Sequence, residues 1–228
     1  MVRYFRSIIF WVFLNFSVIF LGSFLPLLFI FFRDKKRLYQ ISIRFFSKLL
    51  LTFSWIRVKV FGRENLKLID PSKGLILAAN HSSFVDSYVL LAKLPFPVRF
   101  TVSSIGFRMP FLKTIYKGAG YIGVGGKIGS KDVVSLFKAL RKKDKIVIYS
   151  SVSREEESFE FSQNLIRLSN NFGVPILPVA IKGASQVLAM GKFFLADGKI
   201  DLCFAKPGFF DSPLSLKREI LKMHASFS

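Results

Sequence analysis

Alternating and continuous apolar runs divide most of the chain into short strands and helices. Residues 57–62 alternate and end on Gly62, which predicts a first strand with one wet face. Residues 74–79 are apolar throughout, the mark of a central strand in a sheet covered on both faces. A helix follows, with Ser82 and Ser83 as candidate caps and Val85, Val89 and the Leu90-Leu91-Ala92 group as its core face, until Pro95 and Pro97 stop it. Further on come a strand at 98–103, a helix at 107–116, a short strand at Tyr121-Ile122 and an amphipathic helix at 131–142 drawn by Val133, Phe137 and Leu140. A strand at 146–149, a helix at 160–170, a strand at 175–181 and a last strand at 200–204 complete the pattern. The alternation predicts an α/β fold, a mixed, largely parallel sheet flanked by helices. In such sheets the ligand site lies in the loops after the strand C-termini, here near His81, at 150–154 and in the glycine-rich stretch 118–126. The polar stretch 217–228 reads as solvated, and His224 with it.

The N-terminus follows a different pattern. Residues 7–32 carry no charge and are bounded by Arg6 and the cluster Arg33-Asp34-Lys35-Lys36-Arg37. At about 1.5 Å per residue, a helix of that length crosses a hydrocarbon core of about 30 Å with some tilt. Gly22 and Pro26 offer an alternative, a helix broken near its middle that returns within one leaflet. A cleaved signal peptide fits poorly, since the run is long and has no small-x-small site near its end. A second stretch, 41–56, is apolar but for Arg44 and Lys48 on one face, the pattern of an interfacial helix whose cations meet lipid phosphates. The expected division is therefore 1–56, membrane-inserted and interfacial helices, and 57–228, the α/β domain. Basic residues are denser after the first run than before it, which places that domain on the cytoplasmic face.

Composition sharpens the membrane reading. The 228 residues are 51% hydrophobic with 28 Phe, and 34 Lys+Arg against 14 Asp+Glu give a formal net charge of +20. A chain both apolar and basic suits an anionic membrane surface. Nucleic acid is not expected as a partner, because the cations are spread along the chain and no zinc-finger, bZIP or RNP signature occurs. Cys203 is the only cysteine, so no disulfide within the chain and no metal cluster is expected, and Cys203 reads as a small core residue in a reducing compartment.

Asn80-His81-Ser82-Ser83-Phe84-Val85-Asp86 carries the candidate chemistry. In one continuous helix five residues turn through about 500°, leaving His81 and Asp86 about 140° apart. They meet only if His81 precedes the helix and Asp86 lies in its first turn. An imidazole with one nitrogen held by a carboxylate presents the other as a base. Ser83-x-x-Asp86 is equally a capping-box pattern, with a carboxylate favoured at a helix N-terminus on electrostatic grounds alone. Both readings stand at this point.

Gly118-Ala119-Gly120-Tyr121-Ile122-Gly123 matches the letters of a dinucleotide fingerprint, but Val124-Gly125-Gly126 follows where a helix should begin. Gly126-Lys127 fails as a P-loop because Ile128 replaces the Ser or Thr that would reach magnesium.

Taken together, the motifs resemble those of the glycerolipid acyltransferases, whose best-known members acylate lysophosphatidic acid. Asn80-His81 through Asp86 matches the N-H-x-x-x-x-D motif. Gly62-Arg63-Glu64-Asn65-Leu66 is similar to the G-x-E-N-L entry to the domain, and Val174-Pro175-Ile176-Leu177-Pro178-Val179 to the V-P-I-x-P-V strand. The similarity covers roughly 58–181, and apolar helices ahead of it are in keeping. Two elements depart: Val124 stands where the second motif has its phosphate-gripping arginine, and the third motif, F-P-E-G-T-R, corresponds to 149–154 with Ser151 in place of the glutamate but Ser153 and Arg154 kept.

The resemblance implies a membrane-bound acyltransferase moving an acyl chain from acyl-CoA or acyl carrier protein to the hydroxyl of lysophosphatidate or a related lysolipid. His81 would be the general base and Asp86 its orienter, with Asn80, Lys127, Ser151, Ser153 and Arg154 toward the substrate, Lys113 a further phosphate partner, and loop amides at 150–153 holding the oxyanion. No metal and no bound cofactor are implied. The alternative is a lipid-binding or accessory homologue of the same fold, impaired by the changes at Val124 and Ser151.

Overall fold

A computed structural model describes residues 2–28, 32–125, 129–151 and 158–226. Its strands are β1 (Arg57–Phe61), β2 (Leu75–Ala79), β3 (Arg99–Ser103), β4 (Ile122–Val124), β5 (Lys145–Tyr149), β6 (Ile176–Lys182) and β7 (Lys199–Phe204). They form one sheet in the order β1-β7-β6-β2-β5-β3-β4. Every neighbouring pair is parallel except β6 with β7. The mixed, largely parallel sheet expected from the alternation is present, and the wholly apolar β2 is its middle strand.

The helices are α1 (Val2–Ile19), α2 (Leu25–Leu28), α3 (Lys35–Phe53), α4 (Asp86–Lys93), α5 (Pro110–Ala119), α6 (Ser130–Arg141), α7 (Gln163–Phe172), α8 (Ala184–Val187) and α9 (Pro213–Ala225). Side chains of β2 alternate between two layers. Leu75, Leu77 and Ala79 pack with α1, α3, α4 and α5; Ile76 and Ala78 pack with α6, α7 and α9. β2 therefore leaves toward β3 through α4 on one face, while β5 leaves toward β6 through α7 on the other. The connections diverge at the C-terminal ends of β2 and β5, the switch point at which the ligand crevice of an open α/β sheet lies.

Gly62 and Asn65 act together at the entry to the domain. Gly62 has φ +66° and faces the Phe204 carbonyl so closely that any Cβ would collide with it, and Asn65 Nδ2 donates to the same carbonyl at 2.8 Å. The pair pins the turn after β1 to the end of β7.

At the N-terminus, Gly22 and Pro26 do not break the helix. A π-helical turn, Phe20–Phe24, carries it from α1 into α2, and a Cβ at Gly22 would lie 2.8 Å from the Phe111 side chain, so α5 docks directly on that turn. After residues 29–31, which lie outside the description, α3 runs back along α1, with Phe20 and Phe13 against Phe46 and Phe13 against Phe53. Val2–Leu28 is long and apolar enough to cross a membrane, and most of it is not buried in the protein. Phe10, Leu14, Tyr39 and Leu50 nevertheless share one core with the sheet, so no gap in packing marks the boundary at 56.

Two sequence expectations change here. The pattern of 41–56 turns Arg44 toward lipid, but its guanidinium donates to the Leu94 carbonyl and its helix packs along α4. His224, expected in solvent, is 2% exposed because Leu216, Ile220 and Met223 seat α9 against the sheet. Ser212 caps that helix, and the many lysines of the segment hide its apolar stripe from a reading by composition. Cys203 is half-buried on β7, and burial pushes its thiol pKa up.

Candidate active site

The loop 80–85 leaves the middle strand at the mouth of the crevice. Asn80 is buried and clasps β6 through two bonds, donating from Nδ2 to the Ile181 carbonyl at 2.7 Å and accepting from the Ile181 amide at 2.8 Å. Its amide group is therefore engaged by backbone, and its place is that of an anchor for the strand end, not of the substrate contact expected from sequence.

His81 precedes α4 and Asp86 is the first residue of that helix, the arrangement their spacing requires. Asp86 is fully buried, and its Oδ2 lies 2.8 Å from His81 Nδ1 while accepting the Ser82 and Ser83 amides, each at 2.9 Å. One oxygen thus carries both roles weighed in the sequence: it closes the turn that starts the helix and it fixes the imidazole. The capping expected of Ser82 or Ser83 is not made. Val85 occupies the cap position without a side-chain bond, and Ser83 Oγ instead accepts from the Val85 amide and donates to the Leu188 carbonyl at 2.6 Å. With Nδ1 held, Nε2 is the nitrogen left to take or give a proton.

Tyr149, at the end of β5, was not singled out from sequence. Its ring stacks on the His81 ring with centroids 4.2 Å apart and planes 19° apart, and its hydroxyl is 3.1 Å from Ser87 Oγ on α4. The register that pairs Ala79 with Tyr149 across β2 and β5 brings the two rings together. The imidazole is held in its plane by Tyr149 and in its tautomer by Asp86. A tyrosine at the C-terminal end of a buried strand, next to the strand carrying the histidine, was the available signal, but strand order is needed to read it.

From Tyr149 an aromatic wall continues through Phe100 and Tyr121 to Tyr116 and Phe107. Burial raises the pKa of Tyr88, Tyr116, Tyr121 and Tyr149, with the negative charge of Asp86 adding to the effect at Tyr149. All four are neutral phenols across the physiological range. The linkage sign follows: because the folded-state pKa lies above the unfolded value of about 10, the folded form holds these protons longer, and the stability they contribute is present below pH ~10 and lost above it. The melting temperature is expected to hold up to about pH 10 and then to fall in step with tyrosinate absorbance; ionisation of these tyrosines in the folded protein without destabilisation would refute this.

The third-motif loop is described only at its start. Ser150 donates its amide to the Ala79 carbonyl at 2.9 Å, and Ser151 donates its amide to Glu160 at 2.8 Å while its Oγ accepts the Glu160 amide at 2.9 Å. The amides of Ser150 and Ser151 are thus engaged within the protein, which removes them as the oxyanion donors expected from sequence. Ser151 is solvent-exposed beside the crevice. Ser153, Arg154 and Lys127 lie outside the described residues. Val124 ends β4, separated from β5 by β3, and Lys113 faces a separate cavity beside α3.

Comparison with known proteins places this geometry in context. A family model described as acyltransferase matches residues 57–182. The crystal structure of PlsC, the 1-acyl-sn-glycerophosphate (LPA) acyltransferase of Thermotoga maritima, matches with a TM-score of 0.79 over 97% of this chain and 92% of that one, at 19% sequence identity. At that identity the likeness is one of fold. Among curated proteins no sequence matches at a significant level.

Proposed function

This chain belongs to the acyltransferase family, and from that premise we propose that it transfers an acyl group from a thioester donor to the hydroxyl of a lysophosphatidate-type lipid. The observation that carries the mechanism is the His81–Asp86 pair at 2.8 Å at the mouth of the crevice. His81 Nε2 removes the proton of the acceptor hydroxyl, and the oxygen attacks the thioester carbonyl. The tetrahedral intermediate collapses with cleavage of the C–S bond, and the imidazolium returns its proton to the departing thiolate. Asp86 holds the Nδ1–H tautomer and stabilises the imidazolium between these steps. The serines have no covalent part in this scheme, and the Ser83 hydroxyl is already engaged. The donor is acyl-CoA or acyl carrier protein; both are anionic and suit a chain of net charge +20.

The lysophosphatidate class follows the substrate for which PlsC is named, and the exposed apolar stripe of α1 supports attachment to the membrane that holds such a lipid. Residues 1–56 serve as that attachment and 57–228 as the catalytic part, with the cationic cluster at 33–37 favouring the cytoplasmic face. Val124 and Ser151 replace two polar partners of the family pattern, which supports an acceptor whose head group differs from simple lysophosphatidate. The test is purified protein in detergent with a panel of lysolipids and both thioester donors. Transfer to at least one acceptor is expected; none would leave a lipid-binding homologue.

Tyr149 enters this mechanism as a positioning residue. Tyr149→Phe keeps the ring over His81 and loses only the bond to Ser87, so kcat is expected to fall less than about 10-fold, in line with one lost hydrogen bond of about 0.5–1.5 kcal/mol. Tyr149→Ala removes the ring, costs about 3–5 kcal/mol of stability and releases the imidazole plane, so kcat falls much further than KM changes. Equal kcat values in the two folded variants would remove Tyr149 from the mechanism.

A further inference from the structure

Between α2, the start of α3 and α5 the protein has an open cavity of about 600 Å³. Lys35, Arg108, Lys113 and Lys117 line it together with Pro26 and Tyr39, and no carboxylate among the described residues does. Among the described residues none of these four cations forms an ion pair, whereas Lys36 and Arg99 nearby both pair with Asp144. Four unneutralised cations line one cavity, and like charges gathered there repel. An anion with several oxygens relieves that repulsion, and Arg supplies a planar fork for it while Lys supplies point charges.

The placement separates this cavity from His81. Lys113 and Lys117 stand one turn apart on α5, while Leu112, Ile115, Tyr116 and Ala119, on the other side of the helix, pack into the core that holds the aromatic wall. The Thr114 hydroxyl donates to the Pro110 carbonyl at 3.2 Å, so the donors facing a ligand are the cations. Around the cavity the surface is apolar and exposed: Leu27 and Leu28 follow Pro26, and Met109 and Phe111 flank Pro110. A soluble phosphate has no use for such a lip, but the glycerol and acyl chains of a lipid do. The close contact of Gly22 with Phe111 fixes the two walls relative to each other.

We infer that this cavity binds the phosphate headgroup of an anionic membrane lipid, at a site separate from the acyl-transfer crevice. A phosphomonoester is the best match, because it carries about −1.5 to −2 charge and three acceptor oxygens. The site would seat the protein on membrane regions rich in such lipid, whatever the reaction at His81.

The test is flotation of the full-length protein with phosphatidylcholine vesicles containing or lacking phosphatidate. Lys113→Ala/Lys117→Ala is compared with Lys138→Ala/Lys142→Ala, which removes the same charge from the α6 region on the opposite face of the sheet. All four lysines are exposed, so both variants are expected to melt with the wild type. The cavity variant is expected to lose about 10- to 30-fold in affinity for phosphatidate vesicles, the worth of two cations at an anionic surface, and the α6 variant less than about 2-fold. Equal losses would overturn the site in favour of general charge attraction. A rise in melting temperature with inorganic phosphate, absent in the cavity variant and unaccompanied by any vesicle effect, would overturn the lipid assignment and leave a soluble phosphate ester as the ligand.

Discussion

His81→Ala is expected to lower kcat by about 10²–10⁴-fold, the usual contribution of a positioned general base, while the protein stays folded. The argument rests on what the imidazole touches. Its close partners among the described residues are the Asp86 carboxylate and the Tyr149 ring, and both are anchored without it: Asp86 by the Ser82 and Ser83 amides, Tyr149 by Ser87 and by its place in β5. Truncation therefore removes the base and leaves the turn and the wall standing. Measured side by side, acyl transfer should collapse and the melting temperature should stay close to that of the wild type. Transfer that survives in His81→Ala would end the base mechanism, whatever the identity of the acceptor.

The second large effect separates the two jobs of Asp86. Asp86→Asn keeps an oxygen for the Ser82 and Ser83 amides but loses the charge that stabilises the imidazolium, so kcat should fall by roughly as much as in His81→Ala with a modest change in stability. Asp86→Ala loses the oxygen as well and leaves two buried N–H groups unpaired at about 1–3 kcal/mol each. Its activity should fall no further, but its unfolding free energy should drop by several kcal/mol. Denaturant titration beside steady-state kinetics reads the difference. An active Asp86→Asn would return the carboxylate to capping alone.

Much of this architecture was legible in the chain. The period-2 and continuous apolar runs located all seven strands, because burial on one or both faces of a sheet is written directly into side-chain alternation. Helix starts were less exact, and the reason is visible at α4. Ser82 and Ser83 have the chemistry of caps, but Asp86 engages both of their amides and starts the helix itself. The C-terminal helix is hard to read from composition because lysines and serines dominate it, while only Leu216, Ile220 and Met223 decide which way it lies. Arg44 and Lys48 on α3 showed the opposite limit: cations on an apolar helix look the same in sequence whether their partner is a lipid phosphate or, as for Arg44, a carbonyl of the protein.

The chain by itself determined the α/β fold class and the spacing that lets His81 meet Asp86. That pairing is local: the Oδ2 bonds all fall within residues 81–86, so five-residue spacing and a helix start suffice to encode them. The tertiary structure alone decided what surrounds the pair. Tyr149 meets His81 because β5 inserts beside β2, Asn80 is turned inward because β6 flanks it on the other side, and the cations of the second cavity come from residues 35 and 108–117. These contacts join segments tens of residues apart. Side-chain alternation fixes which face a residue takes, but it carries no information on which strand or helix will be its neighbour.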